Sequence, residues 1–507
     1  MTRDVPTEIR GIPLIDGRTS PRAGRSDPLV ATSAGRVRGF WRGDCATFLG
    51  IPYAAAPVGQ AAYEAPVPHA GWNGIRDATR QGATPQRGDN GVTLIPEPSV
   101  PGRETLNVNV FTPDPSRRAG LPVIVYIHGG AYSSGSIASP WYDGASFARD
   151  GVVTVTLSYR IAHAGFAGVR GAPHNRGVRD WLLALAWVQE NARAFGGDPD
   201  RVTLAGQSAG GGAVLTLLGM PAARRLFHAA WSMSPTLAHL TAEDALRLGD
   251  RIAAEAGCAN APAALAALPR GVLSEAQKPH IRGGSSPAAL RRTLSRGLHV
   301  GPVVDGDLIP RPTLEALAGG EGASVPLVVG STDDEFSMVL DRHRRALRLL
   351  PAAPLLALVG LHGARRRAYR RANGDVRGTA NVLGRYATDA LFRRHVAAVA
   401  AARGPERTWT YRFSWPSPAT GWATHCLDLP FFFDVPHAHG VARIAGENPP
   451  ASLADAVHGS ATRFARTGAP GWDAALTRVF DVETRDVADG YASVAPLAAP
   501  TPTTAPG

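Results

Sequence analysis

The sequence predicts an α/β fold: a mostly parallel central sheet covered by helices on both faces, with helical insertions over its strand ends. Three observations predict it. Short β-branched and apolar runs alternate with longer helical stretches through the middle of the chain, the pattern of strands joined by crossover helices. A tight turn rich in glycine joins one such run directly to an apolar helix at residues 202–218. Glycine (57) and proline (42) are plentiful, which supplies the many long loops that connect the regular elements of such a fold.

The elements follow in order. Val123–Ile127 and Val152–Leu157 read as buried strands. Asp180–Phe195 reads as a helix with Leu182, Leu185, Ala186 and Val188 on its apolar side, stopped by Gly196-Gly197-Asp198-Pro199. Val202–Ala205 is the next strand, followed by the turn and the apolar helix Ala213–Leu218. Ala229–Met233, Val325–Val329 and Trp409–Phe413 are further strands. Two arginine-rich helical stretches, 237–300 and 341–394, are expected as cap insertions. No internal repeat and no clean linker is present. The organisation expected is a polar extension over 1–28, one domain over 29–494, and a disordered tail over 495–507, rich in Ala, Pro and Thr.

Composition bounds the function. Apolar residues make up 44% and charged residues 19%, which excludes a disordered chain. The net charge of +11 is nearly all arginine, Lys278 being the single lysine. The arginines are scattered, as on a solvated surface. The densest run, Arg365, Arg366, Arg367, Arg370 and Arg371, has no zinc-finger spacing or RNA-recognition signature beside it, so no nucleic-acid partner is expected. Three cysteines, Cys45, Cys258 and Cys426, allow at most one disulfide and are expected as free thiols in a reducing compartment. The first residues lack an apolar core of signal-peptide length, and no run of about 18 apolar residues occurs, so the expectation is a cytoplasmic protein with no membrane span. No H-E-x-x-H or Cys-His cluster is present, and neither a metal nor a cofactor is expected.

Two motifs carry chemistry. Gly206-Gln207-Ser208-Ala209-Gly210 is a G-x-S-x-G turn. Such a turn lifts a serine hydroxyl out of the strand-to-helix corner, and the helix N-terminus behind it favours developing negative charge. The pattern is weak alone; the strand before it and the apolar helix after it strengthen it. His128-Gly129-Gly130-Ala131 directly follows the strand Val123–Ile127. This is the loop type that offers backbone N–H groups to a tetrahedral intermediate.

Together with several further motifs, these resemble the type-B carboxylesterase family, the cholinesterase-like branch of the α/β-hydrolases. The resemblance runs from about Gly50 to Trp472. It includes Gly50-Ile51-Pro52-Tyr53-Ala54, Leu106 to Pro113, Ser158-Tyr159-Arg160, Asn191-Ala192 and Phe195 to Pro199. Pro302 to Gly306 and Phe464 to Gly468 complete it. The resemblance implies a serine carboxylesterase with Ser208 as nucleophile. The family's acid lies in a G-x-x-x-x-E stretch, here Gly330 to Glu335, which points to Glu335; Asp333 and Asp334 stand beside it as alternatives. The family's histidine precedes an acidic-apolar-proline run, which points to His425 before Cys426-Leu427-Asp428-Leu429-Pro430. The resemblance also implies an oxyanion hole of Gly130, Ala131 and Ala209, a supporting role for Ser234, and a structural ion pair between Arg160 and Asp180.

The chain departs from the family at Gln207, where glutamate is usual, and in a shortened loop between Glu64 and Gln86; both argue against a choline ester. Thr105 replaces a family cysteine and Ala62 a family arginine. The expected reaction is acyl transfer through an acyl-enzyme, with a small-molecule ester as substrate. A non-catalytic scaffold of the same fold is the rival, disfavoured because serine, acid and histidine candidates are all retained. The acyl preference, activity on amides, thioesters or carbamates, and the oligomeric state stay open.

Overall fold

The computed structural model describes residues 8–498 apart from 10, 18–25, 86–92, 239, 282, 283 and 285. Its centre is one eleven-stranded sheet. In chain order the strands are β1 (Phe40–Arg42), β2 (Cys45–Pro52), β3 (Asn107–Thr112), β4 (Leu121–Ile127), β5 (Val153–Leu157), β6 (Gly197–Gln207), β7 (Ala229–Met233), β8 (Leu327–Thr332), β9 (Thr408–Phe413), β10 (Thr477–Phe480) and β11 (Arg485–Val487). Their order across the sheet is β1-β2-β3-β5-β4-β6-β7-β8-β9-β10-β11. Neighbours from β5 to β10 are parallel, and antiparallel strands close both edges.

β4 shows why the sheet is buried on both faces. Successive side chains point to opposite sides. Val123, Val125 and Ile127 enter one apolar cluster with Trp181, Leu185 and Val188 of the helix Arg176–Asn191 and with Val214 and Leu217 of the helix Ala209–Leu218. Ile124 and Tyr126 enter the other, with Val457, Ala461 and Phe464 of the helix Ala451–Thr467. Both faces need apolar side chains, so the strand reads as a continuous apolar run.

The six strands expected from the sequence are β4 to β9. Register brings their C-terminal ends level: Gly206 pairs with Ile127, Gln207 with Met233, and Met233 with Gly330. The loops after β4, β6, β7 and β8 therefore leave from one edge of the sheet, where open α/β sheets place their ligands.

Several boundaries differ from expectation. The helix expected at Asp180–Phe195 is Arg176–Asn191 followed by a 3₁₀ turn, Ala192–Phe195. It starts early because the buried Arg176 side chain donates to the carbonyls of Ala164, Pro173, His163 and Ala167, tying the first turn to the short helix Ala162–Phe166 and the loop after it. β8 starts at Leu327, since Pro326 has no N–H for the ladder. The polar extension over 1–28 is packed in part: Leu14 is buried with Val100 and Ala138, and Ile15 packs near Phe40. At the start of the tail expected over 495–507, Ala492–Leu497 is a 3₁₀ turn with Val494 and Leu497 buried, and Arg365 donates to the Pro496 carbonyl at 2.9 Å; residues 499–507 lie outside the described residues. The insertions are helical, with Ala242–Glu255, Arg270–Ile281 and Pro287–Arg296 in the first and Gly363–Ala372 and Thr379–Thr388 in the second.

The three cysteines are unpaired. Among the described residues no helix is long and apolar enough to cross a membrane.

Arg160 and Asp180 form a buried ion pair at 2.7 Å. Arg160 also donates to the carbonyls of Ala62 (3.1 Å) and Glu64 (2.6 Å), so the pair pins the loop that follows β2 to the helix after β5. Removing one partner of such a pair strands a buried charge. Asp180→Ala is expected to lower unfolding free energy by about 3–5 kcal/mol. Urea denaturation followed by circular dichroism measures it, and a loss within experimental error would show the pair to be dispensable.

Candidate active site

The turn after β6 is built around glycines that admit no side chain. A Cβ on Gly206 would lie 2.4 Å from the Gly210 carbonyl oxygen, and one on Gly210 would lie 2.1 Å from that of Ile127. These contacts let β6, β4 and the helix Ala209–Leu218 close on one another. The helix starts at Ala209, four residues before the expected Ala213, because packing at Gly210, Gly211 and Gly212 overrides glycine's poor helix propensity. Ser208 sits at the corner with φ 60° and ψ −120°, a conformation costly for a residue with a Cβ. Hydrogen bonds hold it there: Ser208 N–H donates to Met233 O (2.9 Å), while Ser208 O accepts from Gly212 (2.9 Å) and Thr236 (3.2 Å).

The loop after β4 lies against this turn. A Cβ on Gly129 would come within 2.7 Å of the Gln207 carbonyl oxygen and 3.1 Å of the Ser208 Cβ. Gly130, Ala131 and Tyr132 all have positive φ (106°, 52° and 58°). Two consecutive non-glycine residues in this region store strain, which Tyr132 offsets by burying its ring against Phe166 and Trp181. His128 anchors the loop: its ring stacks on Tyr159 with centroids 4.4 Å apart, and its Nδ1 lies 2.8 Å from the Gly129 carbonyl. Burial pushes its pKa down to about 4, so it stays neutral. The N–H groups of Gly130, Ala131 and Ala209 have no acceptor among the described residues.

Glu335 and His425 meet from two different loops. The His425 Nδ1 hydrogen-bonds Glu335 Oε2, and the Glu335 Oε1 accepts the Thr332 N–H at 3.1 Å. The backbones are tied as well, His425 N–H donating to Glu335 O at 2.8 Å. Both side chains are buried. Of the two alternative acids, Asp333 is committed to Arg412 (2.8 Å to its Nε), and Asp334 lies 3.3 Å from Arg385 Nη2. Burial alone disfavours the imidazolium, yet the His425 pKa is held well above its ordinary value by the adjacent Cys426 and Glu335. Burial keeps the Cys426 thiol protonated, so the negative charge is that of Glu335. Asp428 lies further along the same segment; burial first, and then the Glu335 charge, push its pKa up to about 6, and it accepts from Tyr411 Oη at 2.8 Å.

The third contact of His425 was not legible in the sequence. Its Nε2 lies 3.4 Å from the Gln207 side-chain amide nitrogen, next to Ser208 in the chain. Among the described residues no hydrogen bond joins the Ser208 hydroxyl to His425. Phe336 and Phe392 flank the imidazole, with centroids at 5.0 and 4.8 Å. Phe336 follows Glu335 directly. Phe392 comes from the second insertion, on a π-helical turn, Asp389–Arg393, whose Arg393 pairs with Asp389 at 2.7 Å. Ser234 lies at the end of β7. Its hydroxyl is buried with no hydrogen-bond partner among the described residues, and Glu335 is held by Thr332 and His425. The β7 end fixes Ser234 through its backbone, which donates to Gly330 O at 2.7 Å. Among the described residues no cluster of His, Cys, Asp and Glu could hold a metal ion.

A largely parallel sheet in this order, with a serine on a strained turn at the C-terminal edge of a central strand, defines an α/β-hydrolase. The chain belongs to the carboxylesterase family, whose model matches residues 26–353, and it is a carboxylic ester hydrolase. It is 33% identical over 484 residues to the para-nitrobenzyl esterase of Bacillus subtilis (strain 168), covering 90% of this chain and 94% of that one. It is 32% identical to phenmedipham hydrolase of Pseudarthrobacter oxydans, covering 88% and 91%. Among solved structures, the Geobacillus stearothermophilus carboxylesterase EST55 superimposes with a TM-score of 0.77 at 31% identity, covering 92% of this chain and 98% of that one.

Proposed function

We propose that the enzyme hydrolyses small-molecule carboxylic esters through a Ser208–His425–Glu335 triad and an acyl-enzyme intermediate. The observation that carries this reading is the imidazole of His425, bound through Nδ1 to a buried carboxylate and presenting Nε2 to the turn that bears Ser208. Glu335 holds the Nδ1–H tautomer, which leaves the Nε2 lone pair to accept a proton. Substrate engagement draws the Ser208 hydroxyl onto Nε2 in place of the Gln207 amide; catalytic hydrogen bonds commonly form only once substrate is bound. Ser208 Oγ then attacks the ester carbonyl while His425 takes its proton. The carbonyl oxygen gains negative charge among the unpaired N–H groups of Gly130, Ala131 and Ala209, at the N-terminus of the helix Ala209–Leu218. His425 returns the proton to the leaving alcohol, and water frees the acyl group by the same route.

The neutral Gln207 puts no carboxylate next to the nucleophile in the chain, which suits uncharged esters; one relative is named for para-nitrobenzyl esters. The three unpaired thiols support a cytoplasmic location. A fluorophosphonate probe tests the site directly. It is expected to form one covalent adduct, recovered by mass spectrometry on the peptide bearing Ser208. An adduct elsewhere, or none in an enzyme that turns over esters, would remove Ser208 from the nucleophile's role.

A further inference from the structure

A cavity of about 660 Å³ lies in the first insertion, lined by residues of the helices Ala242–Glu255 and Pro287–Arg296, with His280 of Arg270–Ile281. None of its lining residues belongs to the Ser208 site. The first helix contributes Arg247 and Arg251, and the second Arg291, Arg292 and Arg296. One carboxylate lines it, Asp244, which is committed to Arg247 at 2.5 Å, an arginine that Glu243 also holds. Arg251, Arg291, Arg292 and Arg296 pair with no carboxylate among the described residues. Like charges one helical turn apart, as at Arg247 and Arg251 and at Arg292 and Arg296, disfavour the empty arrangement.

The positive field is felt inside the wall. His299 sits there with its pKa below the ordinary value, lowered by burial first and then by Arg292 and Arg251. Arg251, Arg292, His280 and His299 also line an adjoining hollow of about 360 Å³, which places Arg251 and Arg292 where the two spaces meet. The arginines therefore surround a concave volume and are not spread along a flat stripe. Guanidinium groups match phosphate and carboxylate oxygens in pairs. The volume is of the size that holds a small ligand.

We infer that this cavity binds a small molecule carrying two or more phosphate or carboxylate groups, gripped by Arg251 from one helix and Arg291, Arg292 and Arg296 from the other. The test is titration of the full chain with pyrophosphate and, separately, with citrate, by calorimetry at about 0.05 M and about 0.5 M NaCl. Saturable one-site binding that weakens at the higher salt is expected for at least one of them. The double variant Arg251→Gln/Arg292→Gln should weaken it by about tenfold or more. That variant should keep its thermal midpoint and its p-nitrophenyl ester turnover, which shows that it is folded. The control Arg367→Gln/Arg371→Gln, on an exposed arginine-rich helix, should bind as the parent does. Binding of pyrophosphate alone assigns a phosphate ligand, of citrate alone a carboxylate ligand. No saturable binding of either anion at low salt, equal binding by the Arg251/Arg292 variant, or binding only of an oligonucleotide of matched charge would overturn the inference.

Discussion

Ser208→Ala is expected to lower kcat for p-nitrophenyl acetate by about 10⁶-fold, the scale seen when a hydrolase loses its serine nucleophile. Alanine keeps the Cβ, so the strained φ of 60° at the corner and the backbone bonds to Met233, Gly212 and Thr236 are unchanged. The variant should therefore match the parent in circular dichroism and thermal midpoint, and only the chemistry should go. A residual rate above that of water is expected, since the N–H groups of Gly130, Ala131 and Ala209 remain to polarise the carbonyl. Steady-state turnover within tenfold of the parent would mean that another group attacks the ester.

Glu335→Gln is the second large effect. Removing the charge while keeping the shape in an analogous triad costs about 10⁴-fold, and a similar loss in kcat/KM is expected here. The neutral amide no longer selects the Nδ1–H tautomer, and it no longer stabilises the imidazolium. The pH dependence separates this role from a structural one. In the parent, the neighbouring Cys426 and Glu335 hold the His425 pKa above its ordinary value, Glu335 carrying the charge, and the proposed reaction needs the neutral imidazole. The rate should thus rise with pH through an apparent pKa above the usual histidine range. In the variant the stabilising charge is gone, so the acid limb should move to lower pH even as the plateau falls. A rate–pH profile of kcat/KM for both proteins measures it. An unmoved limb would show that Glu335 does not set the proton affinity of His425.

Much of the site was legible because its chemistry is local in sequence. The G-x-S-x-G turn needs glycines at 206 and 210, where carbonyl oxygens stand 2.4 and 2.1 Å from any added Cβ, so the constraint is written in consecutive residues. The His128–Ala131 loop follows β4 directly for the same reason. Glu335 rested on its motif; what separates it from Asp333 and Asp334 is tertiary, since those two lie beside Arg412 and Arg385, residues 79 and 51 positions away, while Glu335 meets His425.

The sequence by itself determined the sheet's parallel centre, because strands buried on both faces must be apolar throughout, and it determined the serine turn. Tertiary structure alone decided what touches His425: the amide of Gln207, and the rings of Phe336 and Phe392. It also buried the Ser234 hydroxyl, and it gathered four arginines that pair with no carboxylate among the described residues, from two helices, around one cavity. Such contacts join residues far apart in the chain. Periodicity and motif spacing report the neighbours along a strand or helix, whereas the approach of separate loops is set by how the whole core packs.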